Sequence, residues 1–228
     1  MKSEKGYLDS MNFSSTHLEE HLNSENYIIE VVKSIGVFEP YRWIEEFKKP
    51  LTRHIIEAKI LHTSTGLTLP IKRFSVSQDK QTLEFAGLRG YSDKSKLLSE
   101  LLKELWDDIQ DEVIARLDVA IDFKGKVPNK VIKALSKSRT PFKYLNTTYS
   151  KTDKEKKSNP HLDIKIYDKG LHANLNYDLE RLEFCFKGSY FRGKYKVKEI
   201  EKAYLIMQKT IKRFSGLDVE ITPFKVSL

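Results

Sequence analysis

Two carboxylates and an arginine share one face of a predicted strand, and they are the first residues whose types and spacing could do chemistry. The segment 116–123 reads RLDVAIDF, and side chains along a strand alternate between its two faces. One face is therefore wholly apolar, with Leu117, Val119, Ile121 and Phe123. The other face carries Arg116, Asp118, Ala120 and Asp122.

Two later segments repeat this alternation and add a tyrosine, a glutamate and several cations. Segment 162–169 reads LDIKIYDK, and segment 181–187 reads RLEFCFK. If the three strands lie in one sheet with their apolar faces on helices, the opposite face gathers carboxylates, a phenol and basic groups. Such a set suits metal-assisted attack of a nucleophile on a phosphodiester. The added residues are Lys165, Tyr167, Lys169, Arg181 and Glu183.

The spacing of the acids limits how they could hold a metal ion. Asp118 and Asp122 lie about 13 Å apart along an extended strand, at roughly 3.3 Å per residue, which is too far for both to bind one ion. We therefore expect one of them to pair with Glu183 on a neighbouring strand, about 4.8 Å away. Carboxylate oxygens suit Mg²⁺ or Mn²⁺. In the alternative interpretation, the acids only neutralise basic residues across the sheet.

Tyr167 also has two interpretations. The pKa of a free phenol is near 10, and the flanking Lys165 and Lys169 would favour its anion. Tyrosine is also a favoured strand residue, so Tyr167 could be an ordinary aromatic on the face of the sheet.

The composition is that of a basic, globular chain with one cysteine. The 228 residues include 40 Lys and Arg against 32 Asp and Glu, a net charge of +8, and 39% are hydrophobic. A basic, aromatic-rich protein is a common background for a nucleic-acid partner, although a solvated lysine-rich surface has the same charge. Cys185 alone excludes an internal disulfide. No apolar run suits a membrane span or a secretory signal. We expect a cytoplasmic protein with no membrane contact.

Periodicity predicts an α+β fold with a mainly antiparallel sheet and helices on one face, the other face being open. Residues 1–50 are expected to form an N-terminal helical segment, with helices over 17–35 and 41–48 after a frayed start, and residues 51–228 an α+β domain. A strand–helix–strand unit recurs, which suggests two similar halves. Strands are predicted at 54–61, 67–77, 82–88, 116–123, 142–149, 162–169, 181–187 and 218–226, and helices at 91–113, 128–137 and 199–214.

Four short motifs in order resemble the trans-acting Rep family, the replication initiators of rolling-circle plasmids and related mobile-element nickases. They are Arg116-x-Asp118-x-Ala120-x-Asp122, Thr148-Tyr149, Lys165-x-Tyr167-x-Lys169 and Arg181-x-Glu183. The resemblance covers about residues 80–190. It implies an enzyme that nicks one strand of an origin with a tyrosine, uses Mg²⁺ or Mn²⁺ and stays linked to the 5′ phosphate.

The resemblance also assigns roles to residues. Tyr167 would be the nucleophile, with Tyr149 as the second candidate, and the acids Asp118, Asp122 and Glu183 would hold the metal. The cations Arg116, Lys165, Lys169 and Arg181 would stabilise the phosphate or the tyrosinate. Partners would be single-stranded or hairpin origin DNA, with a host helicase and a second copy of the chain as further candidates. The alternative function is a non-catalytic origin-binding or regulatory protein.

The chain departs from the family pattern in three places. The acid expected after Tyr-x-Lys is replaced by Gly170-Leu171-His172, and Ser150-Lys151-Thr152 stands where a glycine-serine element is expected. The histidine pair of the broader nuclease group is missing from the sequence. The charged segment 150–160 is either a solvated hairpin tip or a DNA-contacting loop. The predicted DNA-binding lysines are Lys151, Lys154, Lys156, Lys157, Lys194, Lys196 and Lys198.

Overall fold

The computed structural model describes residues 3–15, 27–44, 49–74, 81–138, 140–151 and 161–222. The strands in these ranges are β1 (Glu4–Ser15), β2 (Tyr27–Ile44), β3 (Lys49–His62), β4 (Thr68–Phe74), β5 (Gln81–Ala86), β6 (Val113–Lys124), β7 (Thr140–Tyr144), β8 (Thr147–Lys151), β9 (Leu162–Asp168), β10 (Leu179–Lys187) and β11 (Val219–Thr222). The helices are α1 (Asp93–Glu104), α2 (Asn129–Ser138), α3 (Lys169–His172), α4 (Gly188–Phe191) and α5 (Ile200–Ser215), with a 3₁₀ turn at Val197–Glu199.

The described strands form one sheet, which is antiparallel apart from a single pair. Its order is β2-β3-β4-β5-β1-β6-β10-β9-β8-β7, and β11 lies parallel to the first residues of β1. The prediction of an α+β fold with a mainly antiparallel sheet is confirmed. In this sheet β10 lies between β6 and β9 and pairs with both. The three segments with the candidate catalytic residues therefore lie side by side.

The hydrophobic core lies between the apolar face of the sheet and the helices. Leu117, Val119 and Ile121 of β6 are buried with Leu101 and Leu102 of α1 in one cluster. The cluster extends to Val131 and Leu135 of α2, to Phe184 and Phe186 of β10, and to Ala203, Met207 and Ile211 of α5. The alternation predicted from the sequence thus determines which face of each strand packs on the helices, and the polar set faces away from them.

The predicted N-terminal helical segment is wrong wherever the structure describes it. Residues 4–15, predicted to be frayed, form β1 at the centre of the sheet, between β5 and β6. Its apolar pattern is hidden because the pairing with β6 shifts by one residue between Leu8 and Ser10. A bulge of this kind exchanges the faces of a strand, so Leu8 and Met11 both reach the core although they are three residues apart.

The helix predicted over 17–35 is replaced by β2 from Tyr27 onward, and the one over 41–48 by the continuation of β2 to Ile44. Residues 16–26 and 45–48 lie outside the described ranges. The segment from Tyr27 to Val32 is short, apolar and rich in β-branched residues, which fit a strand better than a helix. Chance recurrence at helical spacing in so short a run misled the prediction.

Two other boundaries differ from the prediction. Helix α1 ends at Glu104 and is followed by turns before β6 begins, so it is shorter than the 91–113 range predicted. The single strand predicted over 142–149 is a hairpin of β7 and β8, with Leu145 in the left-handed region at φ 50°. None of the helices in the described ranges is long and apolar enough to cross a membrane.

The polar face is less open than predicted, because its central side chains are buried. Asp118 is 1% exposed, Arg181 0% and Glu183 4%. Part of the cover comes from the loop after β5, where the backbone oxygen of Arg89 accepts from Arg181 and the hydroxyl of Tyr91 donates to Asp122. The site therefore has a buried polar centre and half-exposed groups around it.

Candidate active site

Two rows of facing residues cross the sheet and place the predicted groups together. In one row, Lys165 lies between Tyr149 of β8 and Glu183 of β10. In the next, Arg181 lies between Tyr167 of β9 and Asp122 of β6. Residues directly opposite each other in a sheet point to the same face. The register therefore brings both candidate tyrosines to the polar face beside the acids.

Glu183 accepts three hydrogen bonds from neighbouring side chains. Lys165 Nζ donates to its Oε1 at 2.9 Å, and the Cys185 thiol donates to the same oxygen at 3.1 Å. The hydroxyl of Tyr167 donates to Oε2 at 2.7 Å. Cys185 is buried, and its thiol belongs to this polar cluster.

Burial and charge shift the proton affinities of this cluster. Burial raises the pKa of Tyr167 far above its ordinary value, and the charge of Glu183 raises it further. Burial alone would raise the pKa of Glu183, but the charge and hydrogen bond of Lys165, with the bond from Tyr167, hold it below its ordinary range. Tyr167 is therefore a neutral phenol at neutral pH, and its hydroxyl donates a hydrogen bond to the Glu183 carboxylate.

Asp118 is paired with Arg116 through two hydrogen bonds, one of them from Nε to Oδ1 at 2.8 Å. Burial raises the pKa of Asp118 above its ordinary value, against the opposing hydrogen bond and charge of Arg116. Facing oxygens of Asp118 and Glu183 lie with the Cys185 sulfur within 4.8 Å of one another. This agrees with the expected pairing of one aspartate with Glu183.

The donor chemistry of this group fits a divalent cation at two of its three positions. The carboxylates of Asp118 and Glu183 are the hard oxygen ligands that Mg²⁺ and Mn²⁺ take. Burial strongly raises the pKa of the Cys185 thiol, and a neutral thiol is a poor ligand. Asp122, predicted as a third metal ligand, is not in this group.

Asp122 belongs instead to a second cluster, centred on Arg181. The guanidinium donates to Oδ1 and Oδ2 of Asp122 at 2.7 and 3.0 Å, and to Oδ1 of Asp9 at 2.8 Å. A further bond reaches the backbone oxygen of Arg89 at 2.9 Å. With all four bonds made and no exposed surface, Arg181 could contact a phosphate only by breaking this cluster, so it is placed to position its neighbours.

Lys169 differs from the other three predicted cations. Arg116, Lys165 and Arg181 each bind a carboxylate, whereas Lys169 makes no ion pair with the residues that the structure describes. Burial and the charge of Arg181 lower the pKa of Lys169. It begins α3, whose first turn is capped by Asp168 through Oδ1 and the Leu171 N–H at 2.8 Å. Lys169 is thus the cation left for an external anion.

Tyr149 and His172 flank this arrangement. Tyr149 is half-buried, and its hydroxyl makes no hydrogen bond within the described part of the chain. The ring of His172, which stands where the family pattern has an acid, meets the ring of Tyr167 edge-on at 5.4 Å between centroids. Tyr149 thus lies opposite Lys165, and His172 contacts Tyr167. Neither residue takes part in the hydrogen bonds of Glu183.

The predicted DNA-binding lysines fall into two groups. Lys154, Lys156 and Lys157 lie outside the described residues, and for Lys151 only the backbone is described. Lys194, Lys196 and Lys198 are exposed. Lys196 and Lys198 both bind Asp111, at 2.9 and 2.6 Å, and their hydrogen bonds and charges lower the pKa of Asp111 to about 2. Asp111 therefore neutralises part of the positive charge of the lysines that were predicted to bind DNA.

One solved structure is similar to this chain. A rolling circle replication initiator protein from Geobacillus stearothermophilus matches with a TM-score of 0.50 and 14% identity, over 92% of this chain and 85% of that chain. The two proteins share a fold. Comparison of the sequence with family models and with curated proteins gives no match. The shared fold extends over 92% of this chain.

Sequence reasoning missed Asp9 and Tyr91, which complete the Arg181 cluster. Asp9 is the bulged residue of β1, and the bulge that turns its carboxylate toward Arg181 also hides the alternation that would have revealed a strand. Tyr91 lies in the loop before α1, where no periodicity applies. Its position just before the Ser92 helix cap does not predict a hydrogen bond to Asp122, which lies 31 residues later in the sequence.

Proposed function

We propose that this protein is an initiator of rolling-circle replication or transfer that nicks one strand of an origin with a tyrosine. The observation that carries the proposal is the hydrogen bond from the Tyr167 hydroxyl to the ionised carboxylate of Glu183, with Lys169 unpaired nearby in the described chain. The initiator fold supports it, as does a net charge of +8.

The reaction is a transesterification. The Tyr167 oxygen attacks the scissile phosphorus while its proton passes to Oε2 of Glu183, and a P–Oη bond forms as the P–O3′ bond breaks. The departing 3′ oxygen takes a proton from water, which leaves a free 3′ hydroxyl and a 5′-phosphotyrosine. Since the pKa of Tyr167 is raised, general-base help from a positioned carboxylate is needed at neutral pH, and such help is worth about 10²–10⁴-fold.

Lys169 and the two other half-exposed cations have different roles in this proposal. Lys169 binds a non-bridging phosphate oxygen, since its charge is not offset by an ion pair within the described residues. Lys165 helps to lower the pKa of Glu183, and Arg116 opposes the rise that burial causes in the pKa of Asp118. Arg181 acts as a positioning residue, because it holds Asp122 and the loop at Arg89 in place.

Mg²⁺ or Mn²⁺ would be held by the carboxylates of Asp118 and Glu183. A bound divalent cation would offset the negative charge that develops on the phosphoryl oxygens. Binding is testable without DNA: Mn²⁺ should raise the melting temperature of the protein, since a ligand that binds only the folded state stabilises it. The Asp118→Asn and Glu183→Gln variants should lose that rise, and Asp111→Asn, at an exposed acid, should keep it.

Tyr149 is the second candidate nucleophile. It lies on the same face, opposite Lys165, and its hydroxyl is not engaged with Glu183 as that of Tyr167 is. The deciding experiment incubates the protein with Mn²⁺ and a supercoiled plasmid carrying the DNA that flanks its own gene. Tyr167→Phe should abolish nicking and the covalent adduct, and Tyr149→Phe should retain both. The reverse pattern would assign the nucleophile to Tyr149.

A non-catalytic origin-binding protein is the second candidate function. One observation favours it: Asp118 and Glu183 are buried and already neutralised by Arg116 and Lys165. Such a protein would bind the flanking DNA, with a steep loss of affinity in salt, and would leave it uncut. Binding without nicking by the unmodified protein would establish this function in place of the first. A host helicase and a second copy of the chain remain candidate partners in either case.

A further inference from the structure

A cleft of about 540 Å³ opens beside Asp122, at the edge of the Arg181 cluster. Its volume is in the range of about 300–1,000 Å³ that is usual for small-molecule sites. The cleft is lined mainly by tyrosines and cations. These are Lys5, Tyr7, Arg89, Tyr91, Lys124 and Tyr177.

Arg89 forms the centre of a stack inside the cleft. Its guanidinium carbon lies 4.2 Å from the ring centroid of Tyr7 and 4.9 Å from that of Tyr91. Its Nε is buried and has no hydrogen-bond partner among the residues that the structure describes. The guanidinium therefore holds the rings of Tyr7 and Tyr91 in place in the wall of the cleft.

Tyr91 is held in an unfavourable backbone conformation. Its φ is 58°, in the left-handed region that bulky residues seldom adopt, and such strain clusters at ligand sites. The strain is maintained by the bond from its hydroxyl to Oδ2 of Asp122, at 2.6 Å. The backbone is thus strained at the residue whose ring closes one side of the stack.

The rim of the cleft is exposed and charged, with two lysines beside Glu4. Tyr177 is 46% exposed, so its ring is accessible to a ligand in the cleft. Lys5 and Lys124 are exposed on the neighbouring strands β1 and β6. Aromatic rings beside lysines are the arrangement by which proteins bind single-stranded nucleic acid, with bases on the rings and phosphates on the cations.

We propose that the cleft binds an unpaired nucleotide of the DNA strand that the site cuts. The base stacks on Tyr177, and Lys5 and Lys124 bind the flanking phosphates. The inference rests on the proposed function, because it takes DNA as the substrate. Tyr167 lies two strand spacings from Asp122, roughly 10 Å, so the bound nucleotide is close to the scissile phosphate in the strand.

The test is binding of a single-stranded oligonucleotide of mixed sequence, about 12 nucleotides long, with 2-aminopurine at one position. It is carried out in a chelator, so no cleavage is involved. Tyr177→Ala should weaken binding about tenfold and restore the fluorescence that stacking quenches. Tyr144→Ala is the matched control, because Tyr144 is also an exposed tyrosine, 60% exposed, on the edge strand β7.

A second measurement tests the phosphate contact. Lys124→Met should reduce the slope of log affinity against log salt by about 0.7, as expected for one contact on a single strand. Equal affinities for the wild type and the Tyr177→Ala variant, or equal losses in Tyr177→Ala and Tyr144→Ala, would overturn the proposal. If nicking fails but the loss specific to Tyr177→Ala persists, the cleft stands and the proposed nicking function falls. If nicking occurs and Tyr177→Ala binds normally, the nicking function stands and the nucleotide-binding cleft is rejected.

Discussion

The hydroxyl of Tyr167 donates to Oε2 of Glu183 at 2.7 Å, and the two residues come from adjacent strands of one sheet. Their backbones are not directly opposite, since Tyr167 faces Arg181 and Glu183 faces Lys165. The bond therefore runs diagonally across the polar face and joins the two rows of the site. It also defines the direction in which the phenolic proton can leave.

Glu183→Gln should slow nicking by about 100-fold or more, because an amide can neither take the proton from Tyr167 nor hold a divalent cation as a carboxylate does. The folded structure should persist, since the amide oxygen can still accept from Lys165 or Tyr167. The measurement is the single-turnover rate of nicking on the plasmid with the flanking DNA. A rate within twofold of the wild type would exclude Glu183 as the base. Glu180→Gln is the control, since Glu180 lies on the same strand but binds Lys126 and the Val127 N–H.

Lys169→Met should reduce the nicking rate by about 10–100-fold through loss of one electrostatic contact to the phosphate. Folding should not suffer. Because folding lowers the pKa of Lys169, its charge costs stability at every pH below that pKa, and removing the charge leaves the unfolding midpoint unchanged or raises it. Lys212→Met, which removes an exposed lysine bound to Asp218, is the control for non-specific loss of charge. An equal effect of the two variants would contradict the assigned role.

Arg181→Met should destabilise the protein by about 3–5 kcal/mol, because it leaves the carboxylates of Asp9 and Asp122 buried without their cation. Arg213→Met, at an exposed arginine, should change stability by no more than about 0.5 kcal/mol. Urea unfolding followed by circular dichroism measures both. Similar stabilities for the two variants would show that the Arg181 cluster is not held as tightly as its four hydrogen bonds indicate.

Tyr91→Phe should reduce stability at neutral pH and lose that effect in alkali. Burial, then the hydrogen bond and charge of Asp122, raise the pKa of Tyr91 to about 12. A group whose folded pKa is raised contributes stability that is fully present below its unfolded pKa, near 10, and is lost as the pH rises through about 12. The difference in urea midpoint between wild type and variant should therefore be constant from about pH 7 to about pH 9 and shrink above it. A difference that grows with pH would show that folding lowers the pKa of Tyr91 and does not raise it.

The sequence predicted the faces of β6, β9 and β10 because regular alternation survives wherever a strand pairs without interruption. Asp118, Glu183, Lys165 and Tyr167 were placed together for that reason. The roles of Asp9 and Arg89 could not be predicted, since one lies at a bulge and the other in a loop. Burial was also missed: nothing in the residue types shows that Arg181, apparently a surface cation, is enclosed by carboxylates from two other strands.

Identifying the tyrosine that becomes linked to DNA tests the central claim most directly. The protein is allowed to nick the plasmid with Mn²⁺, the DNA is digested, and tryptic peptides are examined by mass spectrometry. Trypsin separates the two candidates, because Lys151 and Lys165 lie between Tyr149 and Tyr167. A nucleotide 5′-phosphate on the peptide containing Tyr167 is the predicted result. A nucleotide on Tyr149, or no modified peptide after complete nicking, would contradict it.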